Sequence, residues 1–209
     1  MHVIIPPIGI FNKITIFLII VLITDTAISR PISWPGGSTF MYKSNSMISS
    51  YYYHYSPSYK YSLGAEYTTD RYHNDQYISL RTTYLIGRSN TKSSQGNMYF
   101  TGGLSTKSND EYFYGIHGDW ETRRWFTSFS HLDKNTTNND YIENEFQVGF
   151  APYLGDYGEL HTWMMLKIKK DTIDNNWESY PFVKFFKGDY LMEIGTKNSH
   201  WDFHYMIRF

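Results

Sequence analysis

The chain has 209 residues, enough for one domain with a sizeable core, and its net charge of −1 does not favour nucleic acid or an anionic surface as a partner. It contains no cysteine, which excludes a disulfide framework, a cysteine nucleophile, a cysteine-ligated zinc site and a lipoprotein anchor. Aromatic residues make up 19% of the sequence although its mean hydropathy is negative. This combination is typical of membrane strands that face lipid on one side only.

The N-terminal region has the layout of a secretory signal peptide. Lys13 precedes an apolar run from Ile14 to Ile23, and small residues follow at Ala27 and Ser29. A basic flank, a short apolar segment and a small-residue cleavage site occur in this order in exported proteins. We predict a signal peptide over residues 1–29 and a single domain over residues 30–209. The alternative is an uncleaved anchor helix, but this apolar run covers only about half of a bilayer.

The sequence Trp34-Pro35-Gly36-Gly37 follows the predicted cleavage site. Proline and glycine together interrupt regular structure. We therefore expect a flexible entrance to the domain, with Trp34 as a candidate anchor at a membrane interface.

Beyond residue 37 the chain consists of short segments in which apolar and polar residues alternate, separated by turn residues. Ile78, Leu80 and Thr82 share one face of such a segment, for example, and Ser79 and Arg81 share the other. Alternation of this kind indicates β-strands, and no segment shows the helical period. The pattern predicts an all-β, antiparallel, up-and-down transmembrane β-barrel with short turns and about twelve strands, ten being the alternative. The predicted strands are 38–43, 47–55, 59–68, 75–86, 97–106, 111–121, 123–132, 141–152, 158–170, 177–187, 189–196 and 200–209.

Two of these segments have an ambiguous register because aromatic residues lie on both faces. They are Arg123–Leu132 and Tyr180–Phe186. Alternation by itself also fits a soluble, lipocalin-like barrel, in which the apolar face turns inward.

The last segment distinguishes the two kinds of barrel. It carries an unbroken aromatic and apolar face that ends at the C-terminal residue, formed by Trp201, Phe203, Tyr205, Ile207 and Phe209. This strand resembles the last strand of the bacterial outer-membrane β-barrel class. The resemblance implies that the segment is the signal read by the barrel-assembly machinery.

Several other strings are similar to those of an uncharacterised proteobacterial family. They include Trp34–Gly37, Gly118-Asp119-Trp120-Glu121 and Ala151-Pro152-Tyr153. No activity is attached to that family, so this resemblance adds no function.

The polar faces of the predicted strands would line the lumen if the apolar faces meet lipid. The candidate lumen-lining residues are Glu66, Arg81, His117, Asp119, Glu121, Glu143, Glu145, His161, Lys167, Glu193, Asp202, His204 and Arg208, and Lys169 belongs to the same face. Both charge signs are present in similar numbers. Two interpretations stay open: a salt-bridged polar plug, because unpaired buried charges are costly, or a charged constriction that selects small solutes.

The sequence offers little for catalysis or metal binding. Ser128, Ser130 and His131 lie in one segment, but Ser130 and His131 point to opposite faces of a strand and so cannot form a nucleophile–base pair. His117 with Asp119, and Asp202 with His204, could each offer a metal two ligands. We expect no catalytic residues, no metal and no cofactor.

The sequence thus predicts an exported protein of the bacterial outer membrane, either structural or a small-solute pore with a charged lumen. Its expected partners are outer-membrane lipid, the barrel-assembly machinery and small solutes. The alternatives are a soluble periplasmic β-barrel that binds an apolar ligand and an outer-membrane enzyme that modifies lipids.

Overall fold

The computed structural model describes residues 31–108, 111–136, 140–155, 158–173 and 175–209; the predicted signal peptide and parts of four connections lie outside these described residues. The described chain forms twelve strands. They are β1 (Ser38–Ser44), β2 (Ile48–Ser58), β3 (Tyr61–Asp70), β4 (Asp75–Asn90), β5 (Ser94–Ser105), β6 (Tyr112–Thr122), β7 (Trp125–Asn135), β8 (Tyr141–Phe150), β9 (His161–Asp171), β10 (Glu178–Lys187), β11 (Tyr190–Lys197) and β12 (His200–Arg208).

Each strand pairs with its neighbours in sequence, and β1 pairs with β12 to close the barrel. All pairings are antiparallel. The seam continues to the last residue, because Ser38 and Phe209 donate backbone hydrogen bonds to each other at 2.6 and 2.9 Å. The predicted twelve-stranded up-and-down barrel is therefore confirmed.

The strand pleat gives the barrel two chemically different faces. In β2, Tyr51, Tyr53 and Tyr55 are exposed, whereas the alternate residues Tyr52 and His54 are buried. Residues directly opposite each other on paired strands share a face. The strand register therefore assigns the residues of every strand to the outer or the inner face. Large apolar side chains cover the outer wall, and the inner wall holds polar and charged residues together with a smaller apolar set.

Two segments that lie between the predicted strands prove to be strand. Ser56–Ser58 belongs to β2, where the register shifts between Tyr55 and Ser58. Pro57 lies at this irregularity because it has no N–H to donate to a regular ladder. Residues 94–96 belong to β5, and the turn precedes them: the Thr91 hydroxyl accepts a hydrogen bond from the Ser94 N–H at 2.9 Å.

The two ambiguous segments, β7 and β10, place aromatic rings inside the barrel as well as outside. Phe126 pairs with Glu121 on the inner face, and Phe182 pairs with Met165. Trp125 and Phe129, in contrast, are exposed on the outer wall. The inner wall is thus less uniformly polar than the alternation of the other strands suggests.

The barrel has two mouths. The terminus-side mouth contains the start of β1, the end of β12 and the connections after β2, β4, β6, β8 and β10, whereas the far mouth contains the other six connections. No helix that is long and apolar enough to cross a bilayer occurs among the described residues.

Candidate functional site

The candidate site is the interior of the barrel. The register places all of the predicted lumen residues on the inward face. For example, Glu66 lies between Tyr52 and Ser79, and His204 lies between Lys43 and Glu193. They do not form one cluster: Glu121 and His161 lie near the terminus-side mouth, whereas Glu143 and Asp202 lie near the far mouth.

The wall formed by β8 to β12 carries a ladder of ion pairs. Near its centre, Lys167 Nζ lies 2.8 Å from Asp202 Oδ2 and 3.7 Å from Glu145 Oε2. The Tyr180 hydroxyl also donates a hydrogen bond to Asp202 at 2.6 Å. Because each lysine has acidic partners, the cost of removing these charges from water is offset by attraction and hydrogen bonding.

The ladder extends toward both mouths. On the far-mouth side Lys169 Nζ lies 2.7 Å from Glu143 Oε2, and Lys197 pairs with Glu178. Near the middle of this wall, the Glu193 carboxylate lies 2.9 Å from Lys184 Nζ and 3.2 Å from His204 Nδ1.

The opposite wall has fewer charges and more hydroxyl groups. Arg81 donates to Glu66 at 2.8 Å, and its guanidinium lies 4.7 Å from the centre of the Tyr52 ring. Asn97 links two further charges, since it accepts a hydrogen bond from Arg88 at 2.8 Å and donates one to Asp119 at 2.7 Å.

Lys43 differs from the other inward-facing lysines. It pairs in register with His204 and Ser50 on the inner face, yet its side chain is exposed. Within the described residues it has no ion pair or hydrogen bond, and it acts electrostatically on Glu66, His117 and His204 from a distance. His117 belongs to β6 on the other wall, so the Lys43 charge acts across the interior.

Nine inward-facing charged residues of the strands were missed by the sequence prediction: Lys43, Asp70, Asp75, Arg88, Lys134, Asp171, Glu178, Lys184 and Lys197. Lys43 ends the first predicted strand, where alternation is short. Lys184 lies in the ambiguous segment, but its even-number spacing from Glu178 could have assigned both to the polar face.

Apolar residues fill the interior toward the terminus-side mouth. They form three clusters: Met41, Tyr52, Leu191 and Met206 with Phe186; Ala151, Trp163, Met165 and Phe182 with Phe126; and Ile32, Leu85 and Tyr99. Ala151 belongs to the connection after β8 and Ile32 precedes β1, so two segments outside the strands fold inward here.

The far mouth is concave. A small recess, about large enough for one water molecule, lies between the β1–β2 turn and the wall that carries Lys169, Tyr180 and Asp202. Polar atoms of the ion-pair ladder therefore line the approach from this side.

The residues considered for chemistry do not assemble into a reactive site. His131 lies on the outer wall, where its Nδ1 is 2.8 Å from Asn144 Oδ1, whereas Ser128 and Ser130 share the inner face with Asp119 and His117. On the outer face the nearest positions along β7 are Phe129 and Asp133. A hydrogen-bonded histidine without an adjacent nucleophile does not form a catalytic triad.

The two pairs of possible metal ligands, on β6 and on β12, do not come together into one site. Asp119 Oδ2 lies 3.7 Å from His117 Nε2 on β6, whereas Asp202 and His204 of β12 are engaged with Lys167 and Glu193. In the part of the chain that the structure describes, no group of three or more histidine or acidic residues could hold a metal ion.

Comparison with known proteins shows a similarity of fold. No protein-family model matches the sequence, and no curated protein matches it. Among solved structures, the barrel is similar to a KdgM porin determined in complex with disordered oligogalacturonate, with a TM-score of 0.52 and 8% sequence identity. The similarity covers 83% of this chain and 98% of that porin chain. The chain therefore has a porin-like fold: a closed, antiparallel, twelve-stranded β-barrel.

Proposed function

We propose that the protein is a bacterial outer-membrane barrel whose charged lumen passes small solutes. The observation that carries the membrane location is the outer wall, where aromatic and aliphatic side chains from every part of the sheet are exposed, such as Leu80 at 59%, Met164 at 51% and Tyr84 at 46%. An apolar surface that surrounds a barrel would be unfavourable in water and matches the lipid-facing band of a membrane barrel.

The strands are long enough for this location. Most contain 8 to 12 residues. A tilted membrane strand needs about 9–11 residues. A soluble barrel that binds an apolar ligand would require the opposite arrangement of faces.

The interior supports passage of small solutes with weak charge preference. Inward-facing acids of the strands are Glu66, Asp70, Asp75, Asp119, Glu121, Glu143, Glu145, Asp171, Glu178, Glu193 and Asp202, and inward-facing bases are Lys43, Arg81, Arg88, Lys134, Lys167, Lys169, Lys184, Lys197 and Arg208. Rings of one charge sign select ions of the other sign. Because both signs are present in similar numbers, with eleven acids and nine bases on these strands, the lumen favours neutral and zwitterionic solutes over the polyanionic oligogalacturonate named with the porin of similar fold.

We further propose that the C-terminal strand is read by the barrel-assembly machinery. Trp201 and Phe203 lie on the outer face of β12 and Phe209 follows the end of this strand; Trp201 and Phe209 are exposed at 70% and 61%. They would be available to a partner before the seam between β1 and β12 closes.

The experiment that tests passage is conductance of the purified barrel in planar bilayers, combined with swelling of proteoliposomes in neutral, zwitterionic and charged solutes of matched size. We expect discrete conductance steps and faster swelling in zwitterionic than in anionic solutes. A tight electrical seal in every recording would contradict a passage function and favour a structural barrel.

A further inference from the structure

The segment Pro31–Gly37 turns back into the barrel instead of extending away from it. The Gly37 N–H donates to the Trp34 carbonyl at 2.9 Å, and Gly36 has φ +84°. Proline at the second position and a left-handed glycine at the third are the residues of a type II turn. The turn reverses the chain just before β1, so the predicted flexible entrance is a defined turn.

Gly37 is required for this fold-back. A Cβ at position 37 would lie 2.6 Å from Ser33 Oγ and 2.7 Å from Trp34 Nε1, both closer than atoms can approach without displacement. The sequence Trp34–Gly37 therefore specifies the path of the residues that precede it.

The reversed segment is attached to the inner wall by few but distinct contacts. Ile32, 3% exposed, packs with Leu85 and Tyr99. The Ser33 N–H donates to Ser56 Oγ at 3.1 Å, and the Gly36 N–H donates to the Ser56 carbonyl at 2.8 Å.

The ring of Trp34 adds a contact on the other side of the seam. The Arg208 guanidinium lies 5.5 Å from the ring centre, within reach of a cation–π interaction. The segment thus joins β12 to the inner faces of β4 and β5.

The path of the segment crosses the terminus-side mouth. It starts beside β1 and reaches Leu85 on β4 and Tyr99 on β5, three and four strands around the closed order. Its contacts, from Arg208 on β12 through Ser56 on β2 to Tyr99 on β5, extend over six of the twelve strands at this mouth. Thr39, His54 and Ser62, on the inner face near this mouth, are 0% exposed, so solvent does not reach these side chains.

We propose that residues 31–37 act as an internal stopper that closes the terminus-side mouth in the described conformation. This rests on the proposed function, because a stopper regulates passage only if the lumen is a path. Apolar constrictions exclude water as well as solute, and the stopper completes the ring of apolar clusters at this mouth. Passage requires Ile32 and Trp34 to leave their contacts.

The absence of cysteine from the sequence allows a direct test of sidedness. Ser130→Cys introduces a single thiol on the inner face of β7, beyond Phe126 as seen from the terminus-side mouth. The barrel is reconstituted into proteoliposomes in mixed orientations, and a bulky, membrane-impermeant maleimide is added outside. The orientation of the barrels is measured independently by protease digestion.

With native Ile32 we expect a fast phase of labelling equal to the fraction of barrels whose far mouth faces the medium, and a slow phase for the remaining barrels that follows opening of the stopper. In the Ile32→Glu background, a charge at a buried apolar contact expels the segment, and all barrels are labelled in the fast phase. Tyr59→Glu, which places the same charge on an exposed turn residue of the same mouth, serves as the matched control and keeps the native two-phase labelling. Fast labelling of all barrels with native Ile32, or unchanged two-phase labelling with Ile32→Glu in a barrel that keeps its heat-modifiable mobility, overturns the stopper.

A cross-link provides a second test that does not depend on tolerance of a buried charge. Ile32→Cys with Leu85→Cys joins two residues that pack together, so the oxidised barrel should hold the stopper in place and lose its conductance steps, which return on reduction. Equal conductance in the oxidised and reduced forms overturns the proposal.

Complete labelling of the Ile32→Glu barrel without any conductance would leave the stopper supported and refute passage. Conductance together with equally fast labelling of the native barrel from both sides would support passage and refute the stopper.

Discussion

Lys167 of β9 and Asp202 of β12 are in direct contact at 2.8 Å, although two strands lie between β9 and β12 in the barrel. The pair therefore bridges part of the interior above β10 and β11. With Glu145 at 3.7 Å and Tyr180 bonded to the same carboxylate, it ties four strands together.

Asp202→Asn should destabilise the folded barrel. The substitution removes the nearer of the two carboxylate charges beside Lys167 and weakens its hydrogen bond, and a bond to a charged group is worth about 1.5–3 kcal/mol. Urea-induced unfolding from lipid vesicles, followed by tryptophan fluorescence, measures the change in the free energy of unfolding. Lys92→Gln, an exposed turn substitution, is the control. The prediction fails if the two variants unfold at the same urea concentration.

Lys43 should govern the residual ion selectivity of the lumen. It is exposed to the interior and has no ion-pair partner among the described residues, so its charge is not neutralised locally. Lys43→Glu should shift the reversal potential in a potassium chloride gradient toward cation preference, and Lys43→Gln should shift it by a smaller amount. Lys92→Glu makes the same charge change outside the lumen and should leave the potential unchanged. An equal shift in both charge-reversal variants would refute a special role for Lys43.

Phe209→Ala should reduce assembly more than stability. The two backbone hydrogen bonds between Phe209 and Ser38 do not need the ring, whereas an assembly machinery would bind the exposed ring itself. We expect a lower fraction of heat-modifiable barrel in membranes but an unfolding midpoint close to that of the native protein once the barrel is purified. Phe150→Ala removes an exposed ring from the terminus-side end of β8 and controls for general loss of outer-wall surface. Equal assembly of native and Phe209→Ala protein contradicts the prediction.

Asp189 should make stability fall as the pH rises. Burial at the β10–β11 turn raises the pKa of Asp189 above its ordinary value of 3.8, despite the opposing attraction of Arg208. The folded state therefore holds its proton more tightly than the unfolded state, and the stability from this group is lost as the pH rises from 3.8 through the raised pKa. The free energy of unfolding of native protein minus that of Asp189→Asn should decrease over this range. A constant difference, or one of opposite slope, would show that Asp189 is not responsible.

The sequence was sufficient for the strands and for most of the inner wall because both depend on local alternation. The period of two in segments such as β3, β4 and β8 assigns each residue to a face without knowledge of its partners. Alternation did not assign Lys184, because aromatic residues of β10 lie on both faces and hydrophobicity alone does not mark the inner one.

The contacts across the interior could not be predicted in the same way. The distance between Lys167 and Asp202 depends on barrel closure and on strand stagger, which are properties of the whole sheet. The inward path of Ile32 was missed for a related reason. Trp34–Gly37 predicts a turn, but only the apolar surface of Leu85 and Tyr99 explains why the segment folds inside.

The central claim is that the rings face lipid while the charged groups face the interior, and lipid quenching of site-specific labels tests it most directly. Single cysteines at the adjacent positions Ser79 and Leu80, which are 4% and 59% exposed, can carry the same fluorophore in reconstituted barrels, with quencher groups on the lipid acyl chains. We predict strong quenching of the label at position 80 and little quenching at position 79. Quenching at position 79 with none at position 80 would place the polar face against lipid and contradict the membrane barrel.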